Sequence, residues 1–198
     1  MIIVGLTGSI AMGKSEVGKI LQADGIPLFD ADKEVHRLYD SAEGAALIGA
    51  IAPEAVNSGT VDRQRLSALV LADTDLLARL EKAVHAEIRR RRQAFIEEQR
   101  LAGQSIVVLD VPLLFETGGE KDVDVTIVVS AGADLQRRRA LARPGMTEEK
   151  LAMILARQMP DAEKRKRAHH VIETNGTLEE LAVRTRAAVR QIRKEHAL

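Results

Sequence analysis

Gly8, Gly13, Lys14 and Ser15 stand in the spacing G-x-x-x-x-G-K-S. That spacing suits the holding of a nucleoside triphosphate. The glycines let the backbone fold tightly, so that successive N–H groups turn inward toward phosphate oxygens. A helix starting near Lys14 would add the positive end of its dipole. In such a loop the lysine reaches the β- and γ-phosphates, and the hydroxyl after it ligates Mg²⁺. The expected contacts to ATP come from Gly8, Ala11, Met12, Gly13, Lys14, Ser15 and Glu16. Glu16 is unusual, because many such loops carry a second hydroxyl there. Its N–H can serve, while its carboxylate adds negative charge near the phosphates. A chance match arises on the order of once per hundred chains of this length. The context of an apolar run before the loop and helical spacing after it favours function.

Asp30, Asp32 and Asp110 follow apolar runs and are expected at strand ends, on the rim that carries the loop. Ligands of a parallel α/β sheet gather beyond those ends. A kinase acting on an alcohol needs a carboxylate to orient the hydroxyl and take its proton, and oxygen ligands around Mg²⁺. Ser15 and Asp110 are the expected metal ligands. Any one of the three aspartates could instead cap the helix that follows it. Arg137, Arg138, Arg139 and Arg143 precede a Pro144-Gly145 break. Arginine suits the equatorial oxygens of a phosphoryl group in transfer. Arg139 and Arg143, four apart, are expected on one helix face. Beside a phosphate loop, a basic helix before a hinge reads as the lid of a nucleotide kinase.

The elements that must position these groups alternate. Short apolar runs at 2–6, 26–29, 105–109 and 123–129 read as strands, with a weaker one at 169–172. Helical spacing marks 15–23, 135–142 and 177–194, the last with Leu178, Leu181 and Val189 inward. Thr147 is expected to cap a helix. Strands alternating with helices imply a parallel sheet covered by helices. Residues 31–103 differ: they are helical by period, with Asp62 capping a stretch through Leu66, Leu69 and Val70, and no strand is evident. The basic run Arg89–Arg92 within it reads as a solvated helix face. That segment is expected to be a helical insertion between the second and third strands.

Composition narrows the classes. The chain has 198 residues, 45% of them apolar and 2% aromatic. The core must therefore be aliphatic, and a ring-stacking platform for single-stranded nucleic acid is disfavoured. A net charge of zero also speaks against a nucleic-acid partner. With no cysteine, disulfides and thiolate chemistry are excluded. The first residues carry no basic region of a signal peptide, and no apolar run approaches a membrane span, so a cytoplasmic protein without membrane contact is expected. A GTPase switch would need an N-K-x-D motif, which is missing. A nucleoside or nucleoside-monophosphate kinase, or a non-catalytic nucleotide-binding module, remains open on these residues alone.

The whole pattern resembles the dephospho-coenzyme A kinase family over nearly its full length. The match runs through Val4–Gly8 into the loop, Phe29-Asp-Ala-Asp32, and Asp110-Val-Pro-Leu-Leu-Phe-Glu116, the most specific stretch. It continues through Gln136, Arg139, Arg143, Gln158, Glu163-Lys-Arg165 and Ala168, then Val171-Ile172 with Gly176 and Leu178. The resemblance implies transfer of the ATP γ-phosphate to the ribose 3′-hydroxyl of dephospho-coenzyme A, the last step of coenzyme A synthesis. It implies a P-loop NTPase fold, three-layer α/β/α with a five-stranded parallel sheet, a helical substrate domain and a lid. The nucleotide-binding core would comprise 1–30, 104–136 and 168–198, the substrate domain 31–103 and the lid 137–167, in a monomer. Asp32 would be the base, with Asp110 as the rival for that role, and Lys14, Arg139 and Arg143 would be the other catalytic groups. Asp32, His85, Asp110, Pro112, Leu113 and Leu114 would meet the substrate. Ala86 after His85, Pro144, His169, Thr174 and Glu16 depart from the family pattern. Of these, Ala86, Pro144, His169 and Thr174 are expected to touch neither the phosphate loop nor the acidic rim.

Overall fold

Short β-rich runs bounded by glycine, proline or aspartate form the strands, and the amphipathic runs between them form the helices. The structure is a computed structural model and describes residues 1–197. Leu198, with which the expected core closes, lies outside them. The strands are β1 (Ile2–Thr7), β2 (Leu28–Asp30), β3 (Val56–Asn57), β4 (Thr60–Val61), β5 (Ile106–Asp110), β6 (Val125–Ser130) and β7 (His170–Glu173). The helices are α1 (Lys14–Ala23), α2 (Ala31–Tyr39), α3 (Ala42–Gly49), α4 (Arg63–Ala72), α5 (Thr74–Leu101), α6 (Ala133–Leu141), α7 (Glu148–Ala156), α8 (Asp161–Arg167) and α9 (Leu178–Glu195).

Five strands form one sheet in the order β2-β5-β1-β6-β7. β1 pairs in parallel with β5 and β6, and β6 with β7. Every residue of β5 and β6 is buried, which is why both read as nearly unbroken Ile/Val/Leu. Val4, Leu6, Val17, Leu21, Ile127 and Ile192 are among the residues of one core between this sheet and its helices. The fold is the expected α/β kinase architecture.

The chain divides into two compact units. One is Met1–Phe29 with the chain from Gln99 onward, and the other is Asp30–Glu98. The stretch 137–167 belongs to the first unit. The second has its own core, which includes Leu38, Ile48, Ala55, Leu66 and Leu80. Asp62 caps α4 by accepting from the Arg65 N–H, and Leu66 is buried beneath it. A small hairpin is present here where no strand was expected: β3 and β4 pair antiparallel. Its turn residues, Ser58 and Gly59, have φ of 49° and 78°, as a tight two-residue hairpin demands. Strands of two residues are too short to show alternation.

The basic run on α5 is more than a solvated face. Arg90 and Arg91 both bond Glu87 and reach Glu43 on α3. On α9, Thr177 and Glu180 form a reciprocal capping box. Leu181 is buried as expected, but Leu178 is 66% exposed. As the first residue after the cap, it lies off the stripe that faces the core.

Candidate active site

β1 delivers the chain into the phosphate loop at Gly8. A Cβ there would lie 2.6 Å from the Val129 carbonyl oxygen, so the loop leaves the sheet along a path that only glycine fits. Gly13 is the N-cap of α1 with φ 92°, and a Cβ on it would crowd the Thr174 side chain at 3.1 Å. Ala11 is also left-handed, with φ 62°. For a residue with a Cβ that costs roughly 1–2 kcal/mol, so neighbouring bonds must hold the loop in place.

Those bonds come from four side chains. The Ile10 N–H donates to Gln158 Oε1 at 3.0 Å, and Gln136 Nε2 donates to the Ile10 carbonyl at 2.9 Å. The Ala131 N–H donates to Met12 Sδ. Thr174 Oγ1 donates to the Met12 carbonyl at 2.8 Å. Thr174 therefore touches the phosphate loop, contrary to expectation, because β7 emerges beside β6 at the loop. Gln136 and Gln158 stood out only as parts of the resemblance. The position of Gln136 four residues before Ala140, on one helix face, is the signal that could have marked the first of them.

Inside the loop, the Met12 N–H is bonded to the Ser9 carbonyl and the Glu16 N–H to the Gly13 carbonyl. These two expected phosphate donors are thus engaged within the loop. No side chain caps α1, so the Lys14 and Ser15 N–H groups, in its first turn, have no helical acceptor. The Glu16 carboxylate turns to Lys19 at 2.7 Å on the surface. Lys14 Nζ forms an ion pair with Asp110 Oδ1, and both side chains are largely buried. The register that sets Leu6 beside Asp110 accounts for this meeting.

Arg139 is half-buried on α6. Its Nη1 donates to Thr174 Oγ1 at 2.7 Å and its Nη2 to the Thr174 carbonyl at 2.9 Å. Arg139, Thr174 and Met12 thus form a continuous chain of bonds from α6 to the loop backbone. Arg143 is not on the same helix face: α6 ends at Leu141, and Arg143 stands exposed in the turn beyond. The Pro144-Gly145 break ends the helix earlier than the spacing suggested. Arg137 pairs with Glu148 at the start of α7, which Thr147 caps.

After β5 the chain runs through Pro112, whose carbonyl accepts from Thr7 Oγ1 at 2.9 Å. Leu113 is partly exposed, whereas Leu114 is buried against Gly5 and belongs to the core, which corrects its expected place at the substrate. Glu116 accepts from the Met159 N–H and pairs with Lys164 Nζ, both at 2.8 Å. Lys164 is fully buried. Burial pushes the Glu116 carboxyl up, but the Lys164 and Met159 bonds outweigh it and hold it below its ordinary value. His169 is bound at the strand pair: its Nδ1 accepts from the Thr126 N–H at 3.0 Å, and its own N–H donates to Thr126 Oγ1.

In the second unit, Asp30 caps α2 by accepting from the Lys33 N–H at 3.0 Å. It takes the helix-capping role. Asp32 is not a strand end but the second residue of α2, exposed in its first turn. His85 is exposed on α5 and borders a cavity of about 440 Å³ in this unit.

A family model described as dephospho-CoA kinase matches residues 2–180. A dephospho-CoA kinase from Mesorhizobium japonicum is 50% identical over 193 residues, 98% of each chain. One from Rhodopseudomonas palustris is 47% identical, over 97% of this chain and 94% of the relative. Among solved structures, a protein from Thermus thermophilus superposes with a TM-score of 0.78 at 37% identity, covering 96% of this chain and 97% of that one. The dephospho-CoA kinase from Campylobacter jejuni gives 0.72 at 22% identity, covering 98% of each, a likeness of fold.

Proposed function

The chain belongs to the dephospho-CoA kinase family, and we propose that Asp32, Lys14, Arg139 and Arg143 divide its catalytic work. The enzyme transfers the γ-phosphoryl group of ATP to the ribose 3′-hydroxyl of dephospho-coenzyme A, giving coenzyme A and ADP. The observation that carries the reading is the built phosphate loop, with Lys14 seated at the Asp110 carboxylate and its backbone clamped by Gln136, Gln158 and Thr174.

The 3′-oxygen attacks the γ-phosphorus as the bond to the β,γ-bridging oxygen breaks. Asp32 accepts a hydrogen bond from the hydroxyl, aligns it for in-line attack and takes its proton. Lys14 exchanges its carboxylate partner for the β- and γ-phosphates. Arg139 and Arg143 meet the equatorial oxygens from the lid, 137–167, where charge is best matched during transfer. Ser15 and Asp110 offer hard oxygen donors beside the loop, which fits a magnesium ion that takes its remaining ligands from water and phosphate. When bound, that ion would neutralise charge on the phosphates. The pairing of Asp110 with Lys14 favours this supporting role for Asp110 over that of base. The absence of cysteine and of any long apolar helix among the described residues supports a cytoplasmic setting, and we take a monomer as the working unit.

The test is ADP release by the purified protein, offered dephospho-coenzyme A beside nucleosides and nucleoside monophosphates. Dephospho-coenzyme A should be preferred by a wide margin. Asp32→Asn should lower kcat by about 10²–10⁴-fold with the KM for ATP nearly unchanged. Retained activity, or recovery at raised Mg²⁺, would move the role of base to Asp110.

A further inference from the structure

β7 is the last strand of the sheet, so carbonyls on its outer side have no ladder partner. Thr174, just past its end, turns inward. Its N–H donates to the Ser130 carbonyl on β6 at 2.9 Å, and its own carbonyl accepts from Arg139. The carbonyls on either side of it, those of Glu173 and Asn175, both accept from Arg184 Nη1, at 2.9 and 2.5 Å. Two guanidinium groups thus hold three successive carbonyls, Arg139 the middle one and Arg184 its neighbours. One nitrogen of Arg184 suffices, because Nη1 carries two N–H groups.

α9 places Arg184 for this. Side chains on a helix lean toward its N-terminus, and Arg184 stands about two turns after the Thr177 cap, half-buried, so it reaches back to the turn that precedes the helix. α9 in turn is fastened to the helix that carries the phosphate loop. Leu181 and Ile192 share one core with Val17 and Leu21 of α1. Arg186 holds Asp24, which ends α1, through two bonds of 2.8 and 2.9 Å. The bonds of Arg184 to the turn go to backbone, so they constrain the path of the chain at Thr174. In sequence Arg184 is one arginine among several on α9, and no motif marks it.

We propose that Arg184 is a positioning residue for phosphoryl transfer. By holding the Glu173 and Asn175 carbonyls it fixes the direction in which the Thr174 hydroxyl and carbonyl point, and with them the seats of Arg139 and of the Met12 carbonyl. This rests on Arg139 as a group that meets the transferred phosphoryl. Hydrogen bonds weaken steeply with misalignment, so a turn that is free to shift loosens the Thr174 bonds to Arg139 and to Met12 together. The effect belongs to the transfer step, where small misplacements are costly, more than to binding. Glu173 and Asn175 are exposed, so water replaces the lost donors when Arg184 is removed and the fold loses little.

Arg184→Met keeps the aliphatic stem and removes both donors. Well below Tm it should lower kcat by about tenfold, with the KM for dephospho-coenzyme A changed by less than about twofold. Arg184→Lys keeps one nitrogen able to donate to both carbonyls and should recover most of the loss. The decisive measurement is a double-mutant cycle with Thr174→Val. Because Arg184 acts through Thr174, the double variant should turn over no more slowly than Thr174→Val alone. Losses that multiply, or an unchanged kcat in Arg184→Met, would overturn the proposal. So would a loss of activity that merely follows the unfolded fraction, read by circular dichroism at the assay temperature. Arg139→Ala tests the underlying assignment separately. If Arg139→Ala keeps its kcat while Arg184→Met and Thr174→Val share one loss, the positioning stands, exerted on the loop at Met12, and the catalytic role of Arg139 fails. If Arg139→Ala is slow and Arg184→Met is normal, Arg139 stands and the positioning fails.

Discussion

Spacing alone marks Lys14 as the proposed phosphate ligand, but not its partner, because Asp110 is 96 residues away in sequence. Lys14→Ala should lower kcat by about 10²–10³-fold, as loss of a charged group facing the transferred phosphoryl does. It should also lower Tm, since a largely buried Asp110 loses this counterion. Adding Asp110→Asn to that variant should return Tm without returning activity. Normal turnover in Lys14→Ala would sink the loop assignment. Thr174 shows the limit of reading types and spacing. In sequence Thr174 registers only as a departure from the family pattern, yet its hydroxyl accepts from Arg139 while donating to Met12. Thr174→Val removes both bonds at nearly constant shape. It should cost about 1–3 kcal/mol for the orphaned Met12 carbonyl, and up to about 10²-fold in kcat as Arg139 loses an anchor. Thr174→Ser should keep both. Equal behaviour of the two variants in steady-state kinetics would show that the hydroxyl does not position Arg139.

Elements were read where burial imposes a pattern. β5 and β6 lie between the layers of the first unit, so each is almost wholly aliphatic, whereas β3 and β4 are two residues each and leave no period to find. The helix ends were less legible: the spacing of Arg139 and Arg143 implied one face, but the backbone turns before Arg143. What joins α8 to the loop after β5 is a buried ion pair, Lys164–Glu116, which no local pattern announces. Lys164→Met leaves Glu116 without that counterion and should cost roughly 3 kcal/mol, measured by urea unfolding. The pH dependence follows in sign. The folded carboxyl titrates below its ordinary value of 4.5, so the unfolded chain binds the proton more readily. The stabilisation is present above pH 4.5 and is lost as pH falls through the lower folded value. The gap in stability between the native chain and Glu116→Gln should therefore be widest at neutral pH and narrow below 4.5. A gap independent of pH would show that the carboxylate charge contributes nothing.

At the scale of the whole molecule, the chain leaves the first unit at β2, builds the second around its own core and returns along α5. The insertion was legible because its helical, charged composition breaks the strand–helix alternation. Its cavity was not, since it arises from side chains on three helices that are neighbours only once folded. A unit as small as Asp30–Glu98 buries a modest core and should open locally at lower free energy than the sheet. Ligands that bind different units should then leave different marks on amide exchange. An ATP analogue contacts the loop and the start of α1, so it should slow exchange in the first unit, along α1 and β1. Dephospho-coenzyme A, whose 3′-hydroxyl is proposed to meet Asp32 on α2, should slow exchange in the second. At a concentration 100 times its Kd, a ligand stabilises the state it binds by about 2.7 kcal/mol. Amides that exchange only through opening of that unit should therefore slow by about 100-fold, while those of the other unit change far less. Mass-resolved exchange of native protein with each ligand alone reads this directly. If dephospho-coenzyme A protected only residues of the first unit, the second would not meet the acceptor, and Asp32 would lose the role of base.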